Sequence, residues 1–325
     1  MRIATFNLES FGEDPFDADA LMPRIARLRP VLDRLDADIL CLQEVNAQHR
    51  KGKDRREFDA LATLLHDTRY EAFHRTTSGG DDPAERHNLA VLSRFPIIAC
   101  RDILNDYVDA PRWMRRHAEP PDKAAPAVTF DRPILSVTVS LPEGRPLHLF
   151  CVHLRAPLAA PVPGQKLSAN VWKSVPGWAE GYFAAAMKRT GQALELREAV
   201  DGVFDTEPDA LVAAMGDFNA VDVEPALRII LADPDDTGNP ELAGRRLFPV
   251  EAAIAEDRRF TVSHHGHHHM LDHILVSTAL SARLKSVQIL NRDLADEVDD
   301  SKTQAALGSF HAPLVADFAE QTGQR

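Results

Sequence analysis

The sequence predicts a single α/β domain over residues 1–319, followed by a short tail at 320–325. Two patterns predict it. Short apolar runs of strand length alternate with helical stripes along the whole chain, and no linker separates two cores. Composition agrees: of 325 residues, 44% are hydrophobic and 26% charged, which excludes disordered and membrane classes. A chain of this length buries roughly three quarters of its surface and needs no disulfide staples. The net charge of −12 argues against a protein that coats nucleic acid, but not against an enzyme with a local phosphate-binding cleft.

In chain order, residues 2–8 read as a strand. Leu21, Ile25, Leu28, Leu32 and Leu35 then recur at helical spacing, with a kink or break expected at Pro30, which lacks a backbone donor. The run Ile39-Leu40-Cys41-Leu42 is apolar on both faces, as in a central strand. A helix is expected over 56–66 and strands over 88–93, 97–104, 133–140 and 147–154. The longest helix is expected over 180–204. Further strands are expected over 211–216, 271–277 and 313–318. Cys41, Cys100 and Cys151 each sit in an apolar run and read as buried thiols of a reducing compartment. The N-terminus reads as a strand rather than a signal peptide, and no run reaches the ~20 apolar residues of a membrane span. The expected location is cytoplasmic, with no membrane and no protein partner.

Polar groups gather where strands end. Gly216-Asp217-Phe218-Asn219-Ala220 follows an apolar strand, and alternate side chains in extended chain point the same way. Asp217 and Asn219 are therefore candidates to face one ligand, although Asp and Asn also serve turns. Asn7 ends the first strand, with Glu9 two residues on. Glu44 ends the second, His153 ends 147–154, Asp272 opens 271–277, and His311 lies just before the last strand. Each alone has a structural explanation as a turn, an ion pair or an interior histidine. As a set they match the place where open α/β sheets bind ligands, the carboxyl ends of strands.

These segments resemble the endonuclease/exonuclease/phosphatase superfamily of metal-dependent phosphoesterases. The resemblance rests on Thr5-Phe6-Asn7, Leu42-Gln43-Glu44-Val45, Asn88 to Ile97, Val152-His153-Leu154-Arg155, Gly216-Asp217-Phe218-Asn219, Leu271-Asp272-His273-Ile274 and Ser309-Phe310-His311-Ala312-Pro313, in the family's order. It implies a four-layered sandwich of two packed mixed β-sheets flanked by helices, with the site at one end. It also implies Mg²⁺ as cofactor, with Mn²⁺ as a substitute, held by Glu44 with help from Glu9. Asn7 would face phosphate or support the metal, and Asp217 would activate water or protonate the leaving group. Asn219 and His153 would contact phosphate, and Asp272 would orient His311 toward it. The expected substrate is a nucleic-acid phosphodiester. The rivals are a small or lipid phosphoester and a non-catalytic binding protein.

One position departs from the family pattern. Where the last motif usually reads Ser-Asp-His, this chain has Ser309-Phe310-His311, and a phenyl ring cannot coordinate a hard cation. A single ion is therefore expected. Outside the motifs, His264-His265-Gly266-His267-His268-His269 reads as a polar hairpin, with a transition-metal site as the alternative. Two stretches, 105–132 and 155–178, are rich in Pro and Ala, carry Trp113, Trp172 and Trp178, and read as substrate loops. Arg112, Arg115 and Arg116 read as a solvated loop, with a polynucleotide contact as the alternative. Arg189, Gln192 and Arg197 read as helix contacts.

Overall fold

In the computed structural model, which describes residues 1–49, 52, 55–298 and 308–320, strand parity sets the layers. Along Arg2–Phe11 and Ile39–Val45, Ile3, Ile39 and Cys41 enter one buried cluster, while Ala4, Phe6, Leu40 and Leu42 enter a second. Along Pro146–His153 and Leu211–Asp217, Leu147, Leu149, Cys151, Leu211, Ala213 and Met215 enter that same first cluster. Their neighbours Phe150, Val152, Val212 and Ala214 enter a third. Successive strand residues face opposite ways, so the shared cluster lies between two sheets and the other two lie beneath helices. This is the expected four-layered sandwich.

Each sheet has six strands. The first runs in the order Leu284–Ile289, Leu314–Phe318, Arg2–Phe11, Ile39–Val45, Asn88–Ser93, His74–Thr77. The second runs Leu247–Pro249, Asp272–Ser277, Leu211–Asp217, Pro146–His153, Ile134–Ser140, Ile97–Ile103. In both, the two central strands are parallel and joined across a helix, Ala18–Leu35 in the first sheet and Val175–Thr206 in the second. Parallel neighbours need such a crossover. The flanking pairs are antiparallel.

Several expectations change. Of the kink or break expected at Pro30, the break is absent: the helix Ala18–Leu35 continues through Pro23 and Pro30. A Pro in a helix interior costs ~3 kcal/mol, but Ile25, Leu28, Val31, Leu32 and Leu35 are all buried, each contributing ~1.5–3 kcal/mol. Burial outweighs the lost backbone bond. The helix expected over 56–66 is shorter, Asp59–Leu65, and the long one starts earlier, at Val175. Cys41 and Cys151 are buried as expected, but Cys100 is exposed on an edge strand. Of the tail expected from residue 320, all but Glu320 lies outside the described residues.

The stretch 155–178 holds a small ribbon, Lys166–Ser168 with Val171–Trp172, and the first turn of the long helix. Trp113 donates from Nε1 to Glu180 at 3.0 Å and packs edge-on against Phe183, and Arg115 is paired with Asp122 at 2.5 Å. Arg189 pairs with Glu224, and Arg197 with Asp201. The histidine run forms a hairpin, Val262–His264 with His267–His269, in which His268 stacks on Phe260. Among the described residues, no helix is long and apolar enough to cross a membrane.

Candidate active site

The parity that builds the core also aims the site. Asn7 shares the face of Ile3, and His153 that of Leu149 and Cys151. Asp217 shares the face of Ala213 and Met215, and Asp272 that of Ile274 and Val276. All four therefore point into the seam between the sheets, at the end where the parallel strands finish. Asp217 lies opposite His153 on one neighbour and Asp272 on the other.

Glu44 has the wrong parity: Leu40 and Leu42 put its face against the helices. The chain corrects this with a bulge. Pairing shifts between Leu42 and Val45, Glu44 takes a left-handed φ of 58°, and Val45 rejoins the outer cluster. A bulge of this kind re-aims one side chain. Glu9, His87 and Asn219 are also left-handed, at φ 54°, 61° and 48°. Such backbone is costly for residues other than glycine and gathers at functional sites. Gly216 has the complementary role. Its φ is 146°, and a Cβ there would sit 2.0 Å from the Val152 carbonyl oxygen. Only glycine lets the two central strands approach at this point.

The side chains form one connected network. Asn7 Nδ2 donates to Asp217 Oδ2 at 3.0 Å and to Glu44 Oε1 at 3.3 Å, tying the two sheets together. The Asn219 backbone N–H donates to Asp217 Oδ1 at 2.8 Å. His153 Nε2 lies 3.4 Å from Asp217 and 3.6 Å from Glu44. Glu44 Oε2 accepts from the Ser10 backbone at 2.9 Å and lies 3.1 Å from His87 Nδ1. On the far side, His311 Nδ1 is 2.8 Å from Asp272 Oδ2. Ser309 Oγ donates to the Asn7 carbonyl and accepts from the His311 backbone N–H, which fixes this loop against the first strand.

Electrostatics separates these groups. Burial opposes the charge on Glu44, but the hydrogen bond with His87, the adjacent His153 ring and the Asn7 amide outweigh it, and the carboxyl falls well below the usual range. Asp217 goes the other way: burial, then the charge of Asp272, push it up to about 7. For His311, burial is overcome by the charge and hydrogen bond of Asp272, and the imidazole rises to about 10. Burial and the nearby Arg132 guanidinium hold His153 well below its ordinary value. The site thus contains a fixed carboxylate, a carboxyl that titrates near neutrality, an imidazolium and a neutral imidazole.

Every residue named from the sequence reaches this end of the sandwich, but two are engaged differently from expectation. Asn219 spends its amide hydrogens on Leu154 and Asp217, at 3.1 Å each, so here it holds Asp217 in place. Glu9 accepts the Phe310 backbone N–H at 2.9 Å. Its carboxyl, raised by burial, is not part of the Glu44 ligand cluster. Sequence reasoning missed His87, which precedes a strand with no periodic signal, and Arg132, which faces Glu44 and Asp217 from a loop 22 residues from Leu154. The donors suit a divalent cation. Glu44, His87 and His153 bring ligand atoms within 4.8 Å of one another, as do Asp217, Asp272 and His311. Asp272 Oδ1 and His153 Nδ1 are buried without partners among the described residues.

The fold recurs in solved structures at low identity. An endonuclease/exonuclease/phosphatase family protein from Leptotrichia buccalis superposes with a TM-score of 0.57 at 17% identity, covering 98% of this chain and 100% of that one. TDP2 from Caenorhabditis elegans gives 0.58 at 17% identity, covering 98% and 97%. A 3′ phosphatase from Neisseria, NExo, bound to a product DNA hairpin, gives 0.51 at 18%, covering 98% and 100%. No curated protein matches the chain. The family model for Endonuclease/Exonuclease/phosphatase matches residues 4–296. With nearly the whole chain under that model, and the motifs it spans folded into one seam, the protein belongs to the endonuclease/exonuclease/phosphatase family.

Proposed function

We propose that the protein is a divalent-cation-dependent phosphoesterase that hydrolyses phosphodiester bonds of nucleic acid. The observation that carries this reading is the pairing of an imidazolium, His311 on Asp272 at 2.8 Å, with a carboxyl at Asp217 that titrates near neutrality. Phosphoester hydrolysis needs both: a donor for the charged phosphoryl oxygens and a base for water. His311 uses Nδ1 for Asp272, which leaves Nε2 to donate to a phosphoryl oxygen. Asp217 accepts the proton of the attacking water as the new O–P bond forms; the P–O bond to the leaving group breaks, and that oxygen takes its proton from solvent. Asn7 and Asn219 hold the Asp217 carboxyl in register, and Arg132 adds a fixed cation behind it. A cation on Glu44, Mg²⁺ or Mn²⁺, would act as a Lewis acid on phosphoryl and leaving oxygens. Two neighbours support a nucleic-acid substrate: TDP2 from D. rerio complexed with a single-strand DNA product, and the Neisseria phosphatase bound to a DNA hairpin.

The test is a hydrolysis screen on plasmid DNA, single-stranded DNA, RNA, a generic diester and a generic monoester, each with and without chelator. Turnover of a polynucleotide that EDTA abolishes and Mg²⁺ or Mn²⁺ restores is the expected result. Full activity in metal-free buffer, or turnover confined to the small monoester, overturns it.

A further inference from the structure

The side chains around Glu44 are not those a hard cation would select. His87 Nδ1 lies 3.1 Å from Glu44 Oε2, and His153 Nε2 lies 3.6 Å from Glu44 Oε1. With metal–ligand bonds of ~2.0–2.2 Å, neighbouring ligand atoms of a tetrahedral or octahedral ion stand ~3.0–3.5 Å apart. Each imidazole nitrogen therefore stands at about that spacing from one Glu44 oxygen, and ligand atoms of the three residues lie within 4.8 Å of one another. Mg²⁺ keeps to oxygen ligands and retains much of its water. Imidazole instead suits the later divalent metals, with affinity rising from Mn²⁺ through Fe²⁺ and Co²⁺ to Ni²⁺.

His87 is built into this position. Its left-handed backbone is held by a hydrogen bond from its own N–H to Asn46 Oδ1 at 3.1 Å. The next residue, Asn88, anchors to the Val45 carbonyl at 3.0 Å. Those contacts fix the strand start beside the Glu44 bulge. The ring's side chain is 35% exposed, against 2% for His153, so a cation can arrive from solvent on the His87 side. An ordinary ion pair between His87 and Glu44 would need neither the bulge nor a second imidazole on the other carboxylate oxygen.

We propose that Glu44, His87 and His153 form a two-histidine, one-carboxylate site that takes a first-row transition cation, of the Mn²⁺, Fe²⁺ or Co²⁺ class, in preference to Mg²⁺. The proposal rests on the reading of Glu44 as the cation-binding carboxylate, but it does not require turnover. His87 is the ligand that sets the preference, because it is a nitrogen donor on the open side of the site.

The experiment is calorimetric titration of metal-stripped full-length protein with Co²⁺ and with Mg²⁺, for the wild type, His87→Ala and His87→Gln. Losing even a supporting partner of a metal ligand costs ~10–100-fold in affinity, so a direct ligand should cost no less. Co²⁺ affinity is expected to fall by ~10-fold or more in both variants, while Mg²⁺ affinity changes less than ~3-fold. Equal losses for the two cations would mean that His87 merely positions Glu44, and would overturn the proposal, as would an unchanged Co²⁺ affinity. Electron spin-echo spectroscopy of the Mn²⁺-loaded wild type needs no variant. Modulation from a directly bound imidazole nitrogen is expected, and an all-oxygen signal refutes the site. A protein that binds Co²⁺ through His87 yet hydrolyses no phosphoester leaves this inference standing and removes the functional reading; Mg²⁺-dependent turnover with an all-oxygen Mn²⁺ signal does the reverse.

Discussion

Asp217 titrates near 7 and His311 near 10, so the pH–rate profile is a direct readout of the site. Hydrolysis should rise as Asp217 ionises near pH 7 and fall as His311 loses its proton near pH 10. Asp217→Asn keeps the shape and removes the base, and should lower the rate ~10²–10⁴-fold. Asp272→Asn removes the charge that lifts His311, so the alkaline limb should move from near 10 toward the ordinary imidazole value of ~6.5. An unmoved limb would mean that another group sets it. Stability follows with a definite sign. His311 has a folded pKa above its unfolded one, so its contribution is complete below ~6.5 and disappears as pH rises through about 10. In urea unfolding, the gap between wild type and His311→Gln should therefore narrow steadily across that window.

Gly216 shows what one position does for an element. A Cβ there meets the Val152 carbonyl of the neighbouring central strand, so Gly216→Ala should destabilise severely, by ~3–5 kcal/mol, as a lowered urea midpoint will reveal. The central strands were legible in the sequence because both of their faces are apolar. The strands His74–Thr77, Leu247–Pro249 and Leu284–Ile289 were not. All three lie at sheet edges, where one row of backbone groups has no partner strand and polar side chains such as His74 and Arg75 are tolerated. The site was legible where parity carried it: Asn7, His153, Asp217 and Asp272 follow from counting along strands. Glu44 is aimed by a bulge, and His87 and Arg132 by loops, and neither device has a periodic signature. A place at a strand end and the motif resemblance supplied Glu44 without its geometry, and supplied nothing for the other two.

The whole molecule is two similar halves, each a sheet with a central parallel pair and a crossover helix, meeting at an apolar core that ends in the site. Asn7 and Glu44 belong to one half, and His153, Asp217 and Asp272 to the other. A ligand that engages Glu44 and His153 together must hold the halves together. Stability against thermal unfolding should therefore rise with cation concentration, by ~2.7 kcal/mol at a hundredfold excess over the dissociation constant. Glu44→Gln should lose most of that gain when each protein is compared with itself in chelator. A gain that survives the substitution would place the cation elsewhere.

The three cysteines divide along the same line. Cys100 is exposed, while Cys41 and Cys151 lie in the core between the sheets, the first contributed by one half and the second by the other. Burial pushes the Cys41 thiol up, away from the reactive thiolate. A thiol reagent in solution should consume one equivalent at once and then stall. The remaining two can be modified only when the sheets part, so the slow phase counts openings of the sandwich. The chain thus carries an intrinsic clock for the separation of its halves, and binding at the seam should be visible as that clock running more slowly.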